Sequence, residues 1–231
     1  MTETWREELQ AAGLPAPDDP GGAILVLSAH PDDEVLAVGS WLAAQRRRSL
    51  TFVTATDGEA SHPRSPSHGR DDLRSLRAAE LLEALRRLGI EKPVVHRLGL
   101  PDGGLQEHGV ELRSALEPFV RAADLVLSPF RLDGHGDHDA LGRAAAEACG
   151  DDVPLWQFPI WTWAWTTPHE ADWLPHARTL WSPASSRERK HDAIDAFNTQ
   201  VRPLSDHPAD RAVVEGALLD HALHAPEVVI T

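Results

Sequence analysis

Residues 23–44, AILVLSAHPDDEVLAVGSWLAA, join two apolar segments through a short polar one. The run AILVLS (23–28) is short, aliphatic and rich in β-branched residues, which is typical of a strand buried on both faces. Residues 35–45 then follow helical periodicity. One histidine, one proline and three carboxylates stand between the two segments, so the stretch predicts a strand that ends in a chemically active loop.

The same alternation continues along the chain and predicts the fold class. Short apolar runs that predict strands lie at residues 23–28, 50–56, 93–98 and 124–130. Segments with helical periodicity lie at residues 35–45, 73–88, 109–121 and 140–149, and glycines follow two of them. Strands that alternate with helices predict an α/β fold with a mostly parallel sheet covered by helices.

The length of 231 residues predicts one domain, residues 1–231, with enough core to need no disulfide. Residues 1–20 are expected to be an N-terminal extension. Residues 185–231 are expected to form a C-terminal helical tail, with helices near 186–200 and 209–223.

The amino-acid composition limits the expected cellular location and binding partners of the protein. A formal net charge of −14 repels phosphate backbones, so no nucleic acid partner is expected. No run approaches the roughly 20 apolar residues of a membrane span, and the first twenty residues lack a signal-peptide pattern. The single cysteine, Cys149, excludes an intrachain disulfide. A cytoplasmic location is therefore expected.

The polar loop after the first strand has two interpretations. In open α/β sheets, ligands bind outside the carboxyl ends of the strands, where His30, Asp32 and Asp33 are predicted to lie. The acids alone also suit the first turn of a helix, where carboxylates meet unpaired backbone N–H groups. The histidine favours a site, because a His-Pro pair has no capping role and imidazole is a ligand for metals such as zinc.

A second cluster repeats this pattern about a hundred residues later. The run DLVLSPF (124–130) is followed by RLDGHGDHDA (131–140), again with histidines and acids after a predicted strand. If the two strands are neighbours, the clusters converge at one edge of the sheet. The sequence therefore predicts a metal site shared by the two loops.

Six segments together resemble one protein family. They are AHPDDE (29–34), TDGEASHP (56–63), RAAELLEALRRLGI (77–90), LGLPDGG (98–104), DGHGDH (133–138) and FNTQVRPL (197–204). In this order they resemble the LmbE-like, or PIG-L, zinc-dependent de-N-acetylases over roughly residues 20–205. The resemblance implies a Rossmann-like three-layer sandwich and hydrolysis of an N-acetyl group on an amino sugar or glycoconjugate.

The resemblance also implies residue roles. It makes His30, Asp33 and His138 the ligands of one zinc ion per chain, which agrees with the three protein ligands and open position of catalytic zinc. Asp32 is implied as the general base and His135 as the group that stabilises the oxyanion.

Substrate contacts are implied in the same way. Arg77 and Asp102 are expected to reach the sugar hydroxyls, with Glu80 orienting the arginine. The residues themselves leave a plainer interpretation open, in which Arg77 and Glu80 form a solvated helix pair and Asp102 begins a turn.

The base assignment stays open on the residues alone. The ordinary pKa of an aspartate, near ~3.9, is further from neutral pH than that of a histidine, near ~6.5, so His135 is an alternative base to Asp32. Two departures from the family pattern bear on the oxyanion side. Gly136 stands where relatives commonly have proline, and the chain contains no tyrosine.

Six of the eight tryptophans lie within residues 154–183. Two roles are open for them: stacking on sugar rings or an aglycone, and packing the tail onto the sheet or forming a homo-oligomer interface.

The sequence thus predicts a zinc-dependent hydrolase acting on a small-molecule amino-sugar or glycoconjugate substrate. Two alternatives are a zinc-bearing or sugar-binding protein without turnover and a metal-dependent sugar-nucleotide transferase. The transferase would need a diphosphate cradle, and no glycine-rich phosphate loop is evident.

Overall fold

A computed structural model describes residues 2–231, with side chains from Trp5 onward. The strands of this part of the chain are β1 (Ile24–Ser28), β2 (Leu50–Thr56), β3 (Val94–Leu100), β4 (Leu125–Pro129), β5 (Leu155–Phe158), β6 (Ala177–Leu180) and β7 (Glu227–Ile230). The α-helices are α1 (Thr2–Ala12), α2 (Asp33–Ala44), α3 (Arg70–Arg87), α4 (Gly109–Val120), α5 (Gly136–Cys149), α6 (Thr162–Trp165), α7 (Ala184–Ile194), α8 (Asn198–Val201) and α9 (Gly216–His224).

The strands of the described chain form one seven-stranded sheet in the order β3-β2-β1-β4-β5-β7-β6. Strands β1 to β5 are parallel, whereas β7 runs antiparallel to both β5 and β6. This confirms the predicted α/β fold with a mostly parallel sheet. The chain crosses from β3 back to β4 on the far side of β1, so β1 and β4 are neighbours at the point where the strand order reverses.

Both faces of the sheet are covered, as the continuous apolar character of β1 predicts. Ile24 and Val26 point into one core, which they share with residues of α2, α3 and α7. Leu25 and Leu27 point to the opposite face and pack with α4 and α5. Successive strand side chains alternate between faces, so a strand without polar positions must be buried on both.

The four predicted helices are observed with small shifts at their ends. Helix α3 illustrates the physical signal: its final turn is followed by Gly89, whose φ of 91° lies in the left-handed region that favours glycine. Helices α2 and α5 begin two to four residues earlier than predicted, because their first turns consist of the polar residues of the two loops. The predicted site residues therefore lie at helix N-termini as well as at strand ends.

Residues 1–20 include an element that the sequence interpretation did not contain. Helix α1 packs through the fully buried Trp5, whose ring makes an edge contact with Trp163 at 5.1 Å and stacks on Trp173 at 5.7 Å. Part of the tryptophan-rich segment therefore packs against α1, an interior role that differs from the predicted packing of the tail onto the sheet.

The tail is helical but also supplies a strand. Within 185–231 the structure has α7, α8 and α9 and then β7, which enters the sheet between β5 and β6. Glu227 of β7 binds helix α2, which is interrupted at Val38: the carboxylate accepts hydrogen bonds from the backbone N–H groups of Ser40 (2.7 Å) and Trp41 (2.8 Å). Lys190 Nζ lies 2.9 Å from the same carboxylate and neutralises it.

Within residues 2–231, the helices are too short or too polar to cross a bilayer.

Candidate active site

The two polar loops meet because β1 and β4 are adjacent. His30 follows the end of β1 and His138 lies in the first turn of α5 after β4, and their rings are 5.3 Å apart between centroids. The crevice outside the reversal point of a parallel sheet is the expected ligand site of such folds. The structure thus fulfils the condition on which the shared metal site depends.

The three predicted metal ligands are neighbours at the ends of β1 and β4. His138 Nε2 lies 3.3 Å from His30 Nδ1 and 3.3 Å from Asp33 Oδ1, and His30 Nδ1 lies 3.8 Å from Asp33 Oδ2. Ligand atoms about 2.0–2.1 Å from a tetrahedral zinc ion are separated by roughly 3.3–3.4 Å. The two imidazole nitrogens have this spacing, and Asp33 faces the two rings through different oxygens. Two histidines and one aspartate are a donor set that suits zinc.

Each ligand is held by a second group. Asp33 Oδ2 accepts hydrogen bonds from the backbone N–H groups of Ala29 (2.8 Å) and His30 (2.9 Å). His138 Nδ1 lies 2.7 Å from Asp133 Oδ2, which leaves Nε2 free to bind a metal. Carboxylate partners of this kind fix the orientation of ligating histidines and make them better donors.

His30 has two carboxylate partners. Its Nε2 lies 3.1 Å from Asp102 Oδ1 and 3.3 Å from Asp137 Oδ2. Asp137 also accepts from the backbone N–H groups of Gly103 (2.7 Å) and Leu105 (3.0 Å), so it joins α5 to the turn after β3. Asp102, predicted to contact sugar hydroxyls, lines the cavity and also orients His30.

The carboxylates give the centre a strong preference for positive charge. Burial alone would lower the pKa of His138, but Asp33 and Asp133 outweigh it and raise that pKa to about 9. Burial would raise the pKa of Asp33, yet the facing charge of His138 holds it well below the ordinary value. Burial also opposes the shift at Asp102, where the hydrogen bond from His30 brings the pKa to about 2.

Asp32 is paired with Arg77. Arg77 is 3% exposed, and its Nη2 donates to Asp32 Oδ2 at 3.0 Å while Nη1 donates to the carbonyl of Gly58 at 2.9 Å. Gly58 has a φ of 66°, and a Cβ at this position would overlap the guanidinium. Burial raises the pKa of Asp32, and the positive charge of Arg77 opposes that shift.

Glu80 does not orient Arg77 as predicted. Its carboxylate accepts from the backbone N–H (2.9 Å) and the hydroxyl (2.7 Å) of Thr199, at the start of α8. The reason is geometric: Arg77 turns into the cavity towards Asp32, whereas Glu80 faces the tail. The solvated-pair interpretation is also wrong, because Arg77 is buried.

His135 lies beside the metal-type centre. Its ring is 5.0 Å from that of His30 and 4.7 Å from that of His138, and the three residues are close enough to form one metal-binding group. Burial, together with the charges of His138 and His30, lowers the pKa of His135 to about 4. Its Nδ1 accepts from the backbone N–H of Asp137 at 3.3 Å, so the neutral ring carries its hydrogen on Nε2.

Gly136 is accommodated by a neighbouring side chain. The amide of Gln106 lies where a Cβ at position 136 would be. The first turn of α5 is thus packed from outside by Gln106 rather than constrained by a proline ring.

The site opens into a cavity of about 260 Å³ with two different sides. The polar wall consists of His30, Asp32, Asp33, Ser61, Arg77, Asp102, His135 and Gln200. The apolar wall consists of Leu36, Ile160, Trp161, Val213, Val214 and Leu218.

Two residues of the second loop were quoted in the sequence without a role. Asp133 accepts from the backbone N–H groups of Ile160, Trp161 and Thr162, from the Thr162 hydroxyl and from His138. Asp137 binds His30 as described above. Asp133 lies two residues before His135, and Asp137 lies one residue before His138, so the sequence places both in the cluster. Only the folded chain shows which partners they bind.

The fold and the site define an α/β protein with a His/Asp metal-type centre at the carboxyl ends of its parallel strands. The family model described as GlcNAc-PI de-N-acetylase, PIG-L, matches residues 25–149. The chain belongs to this family, which confirms the resemblance and the predicted enzyme class.

Named relatives agree with this membership. A probable N-acetyl-alpha-D-glucosaminyl L-malate deacetylase 2 of Bacillus anthracis is 34% identical over 158 residues, which are 64% of this chain and 69% of the relative. A 1D-myo-inositol 2-acetamido-2-deoxy-alpha-D-glucopyranoside deacetylase of a Mycobacterium species is 28% identical over 67% of this chain and 59% of its own length. Both relatives are named as deacetylases of N-acetylated amino sugars.

A solved structure shows the same fold. The deacetylase of the A40926 pseudoaglycone matches with a TM-score of 0.64 and 22% identity, over 90% of this chain and 96% of its own.

Proposed function

We propose that this chain is a zinc-dependent hydrolase that removes the N-acetyl group from an amino sugar or glycoconjugate. The observation that carries the proposal is the proximity of His30, Asp33 and the buried His138, next to a cavity lined by Asp32 and His135, in a member of a de-N-acetylase family.

His30, Asp33 and His138 would hold the zinc ion, one per chain. When bound there, zinc supplies a Lewis acid for the amide carbonyl and lowers the pKa of water. Three protein ligands are typical of catalytic rather than structural zinc.

Asp32 is the proposed general base. It lies on the cavity next to the ligand Asp33, and Arg77 binds only its Oδ2, so Oδ1 can accept a proton from the attacking water. Burial brings its pKa closer to neutral pH, which favours proton transfer during bond formation. The position of Asp32 therefore supports it over His135 as the base.

His135 is the proposed donor to the oxyanion. As a neutral ring with its hydrogen on Nε2, it can donate a hydrogen bond to the negative oxygen that develops as water attacks the amide carbon. The C–N bond then breaks as Asp32 returns the proton to the leaving nitrogen, and the products are acetate and the free amine of the sugar.

Arg77 and Asp102 are the proposed substrate contacts. Both line the cavity, so the guanidinium and the carboxylate lie where sugar hydroxyls would be bound.

Metal analysis combined with an acetate-release and amine-release assay on a panel of N-acetylglucosaminides tests the proposal. The wild-type protein is expected to hold one zinc per chain and to release both products. His138→Ala should lose zinc and activity together, whereas His169→Ala, an exposed histidine off the cavity, should retain both.

Two outcomes would contradict the hydrolase. Stoichiometric zinc without release of acetate from any panel member would favour a zinc-bearing or sugar-binding protein without turnover. Tight binding of a nucleotide sugar without amide hydrolysis would favour the transferase.

A further inference from the structure

Two tryptophans stand apart from the rest of the aromatic segment. Trp163 and Trp173 are packed against Trp5 in the interior. Trp161 and Trp165 instead stack on each other, with ring centroids 4.6 Å apart and planes inclined by 18°. Trp165 is 53% exposed although its partner lines the cavity.

This aromatic pair adjoins the reaction centre. The ring of His135 is nearly parallel to both, at 6.3 Å from Trp161 (19°) and 6.4 Å from Trp165 (14°). Trp165 also lies over Gly134, where an added Cβ would be 3.4 Å from its ring. The pair thus continues the apolar wall from His135 to the surface.

Other contacts fix the pair in place. Asp133 accepts the backbone N–H of Trp161 at 3.0 Å, and the backbone N–H of Trp165 donates to the carbonyl of Trp161 at 2.9 Å. The exposed ring is therefore carried on a short helix whose start is bound by a fully buried carboxylate. An exposed aromatic surface beside a cavity is suited to ligand contact.

The size of the cavity limits what lies inside it. At about 260 Å³ it is smaller than the roughly 300–1,000 Å³ of pockets that enclose drug-sized ligands. An N-acylated sugar held at the polar wall would take up this space, so a group attached to the sugar must extend out through the mouth. Trp165 is the exposed aromatic side chain that this group would meet.

We propose that Trp161 and Trp165 form an aglycone subsite that stacks on an aromatic ring, so that the preferred substrates are aryl glycosides of an N-acylated amino sugar. This inference rests on the proposed deacetylase function. A flat pair of indoles is complementary to a planar ring, and aromatic pairs gain more than their buried area alone would give.

The test compares phenyl and methyl N-acetylglucosaminides, both anomers of each. Aromatic pairs contribute about 0.5–1.5 kcal/mol, so wild-type kcat/KM should be about 2- to 12-fold higher for the phenyl substrate. Trp165→Ala should bring this ratio close to 1 by lowering kcat/KM mainly for the phenyl substrate, while Trp165→Phe should retain most of the preference. Trp181→Ala is the matched control, because Trp181 is 76% exposed but lies off this cavity, and it should keep the wild-type ratio.

Several results would overturn the subsite. They are an unchanged ratio in Trp165→Ala, an equal loss for both substrates, or a changed preference for N-acetyl over N-butanoyl substrates, which would place the acyl chain on the indoles. Calorimetric binding of the phenyl glycoside separates this proposal from the function. If the wild-type protein hydrolyses neither substrate but Trp165→Ala weakens phenyl binding alone, the subsite stands and the deacetylase function fails; equal binding by both proteins rejects the subsite.

Discussion

The polar and apolar walls face one cavity but come from different parts of the chain. Most of the polar wall lies in loops at the carboxyl ends of β1, β3 and β4, which is where open parallel sheets bind their ligands. Most of the apolar wall comes from the segment after β5 and from residues 213–218 of the tail. The polar wall holds groups suited to chemistry, and the apolar wall holds groups suited to selecting what is attached to the substrate.

This difference predicts that changes to the two walls affect different measurements. Polar-wall variants should alter kcat and metal binding. Apolar-wall variants should alter stability and the ratio between substrates, as proposed for Trp165.

The largest effect is expected for Asp32→Asn. A positioned general base contributes about 10²- to 10⁴-fold, so kcat for an N-acetylglucosaminide should fall by that factor while the zinc content stays at one per chain. Asp151→Asn, at an exposed position, is the matched control. Near-normal turnover of Asp32→Asn would remove Asp32 from the base role.

Arg77→Ala should reduce kcat/KM by about 10- to 150-fold, because hydrogen bonds to charged groups contribute about 1.5–3 kcal/mol. Both kcat and KM should change, because Arg77 neutralises Asp32 and also faces the cavity. Steady-state kinetics separates the two effects: a rise in KM with normal kcat would show that Arg77 contacts substrate without positioning Asp32.

Asp133 links the two walls, because it binds His138 and also the backbone of residues 160–162. Asp133→Asn tests this link. Zinc affinity should fall about 10- to 100-fold, measured by competition with a chelator. Tryptophan fluorescence should change as well. Asp137→Asn is the matched variant, because Asp137 binds His30 and the 103–105 turn; it should weaken zinc with little change in fluorescence. Equal fluorescence changes in both variants would argue against a link from Asp133 to the apolar wall.

The last effect concerns the acid stability of α9, the helix that carries Leu218 of the apolar wall. His221 of α9 stacks on Trp163 of the neighbouring segment at 4.2 Å. Burial, with smaller contributions from the charges of Lys190 and Arg6, lowers its pKa to about 3. In the unfolded chain the pKa of His221 is near ~6.5, so between the two pKa values the unfolded chain binds more protons than the folded one. The stability that neutral His221 contributes is therefore fully present above pH ~6.5 and is lost as the pH falls.

His221→Phe keeps a ring in the stack and removes the titration. Between pH 6.5 and 4 the unfolding free energy of the wild-type protein should fall relative to the variant by up to about 1.4 kcal/mol per pH unit, measured by denaturant unfolding. Parallel pH profiles of the two proteins would contradict the assignment. The histidines of the polar wall titrate in both proteins and cancel in the comparison.

The polar wall was largely predictable from sequence, and the reason is local. Strand β1 and the loop after it carry their signal in consecutive residues, and His30, Asp32 and Asp33 follow a run with no polar position. The sequence could not predict that β1 and β4 are neighbours, because no local pattern encodes which strands pair. The shared site was therefore predicted only on the condition that they are. Asp133 and Asp137 were visible as acids, but their partners lie in other loops.

The apolar wall was much less predictable. Strands β5, β6 and β7 have four residues each, too few to show a period, and β7 lies in a segment that was expected to be helical. The tryptophans between them divide into interior packing and cavity lining only through contacts with α1, α5 and α9. Spacing along the chain does not distinguish these two roles.

The bond between Glu227 and helix α2 has a consequence for how the chain is made. The carboxylate that binds the interrupted helix lies 187 residues downstream of Ser40. At translation rates of about 5–20 residues per second, this segment emerges roughly 10–40 s after the helix it completes. The second half of α2 therefore lacks its partner carboxylate for that interval, and the helix can be completed only after synthesis has passed β7.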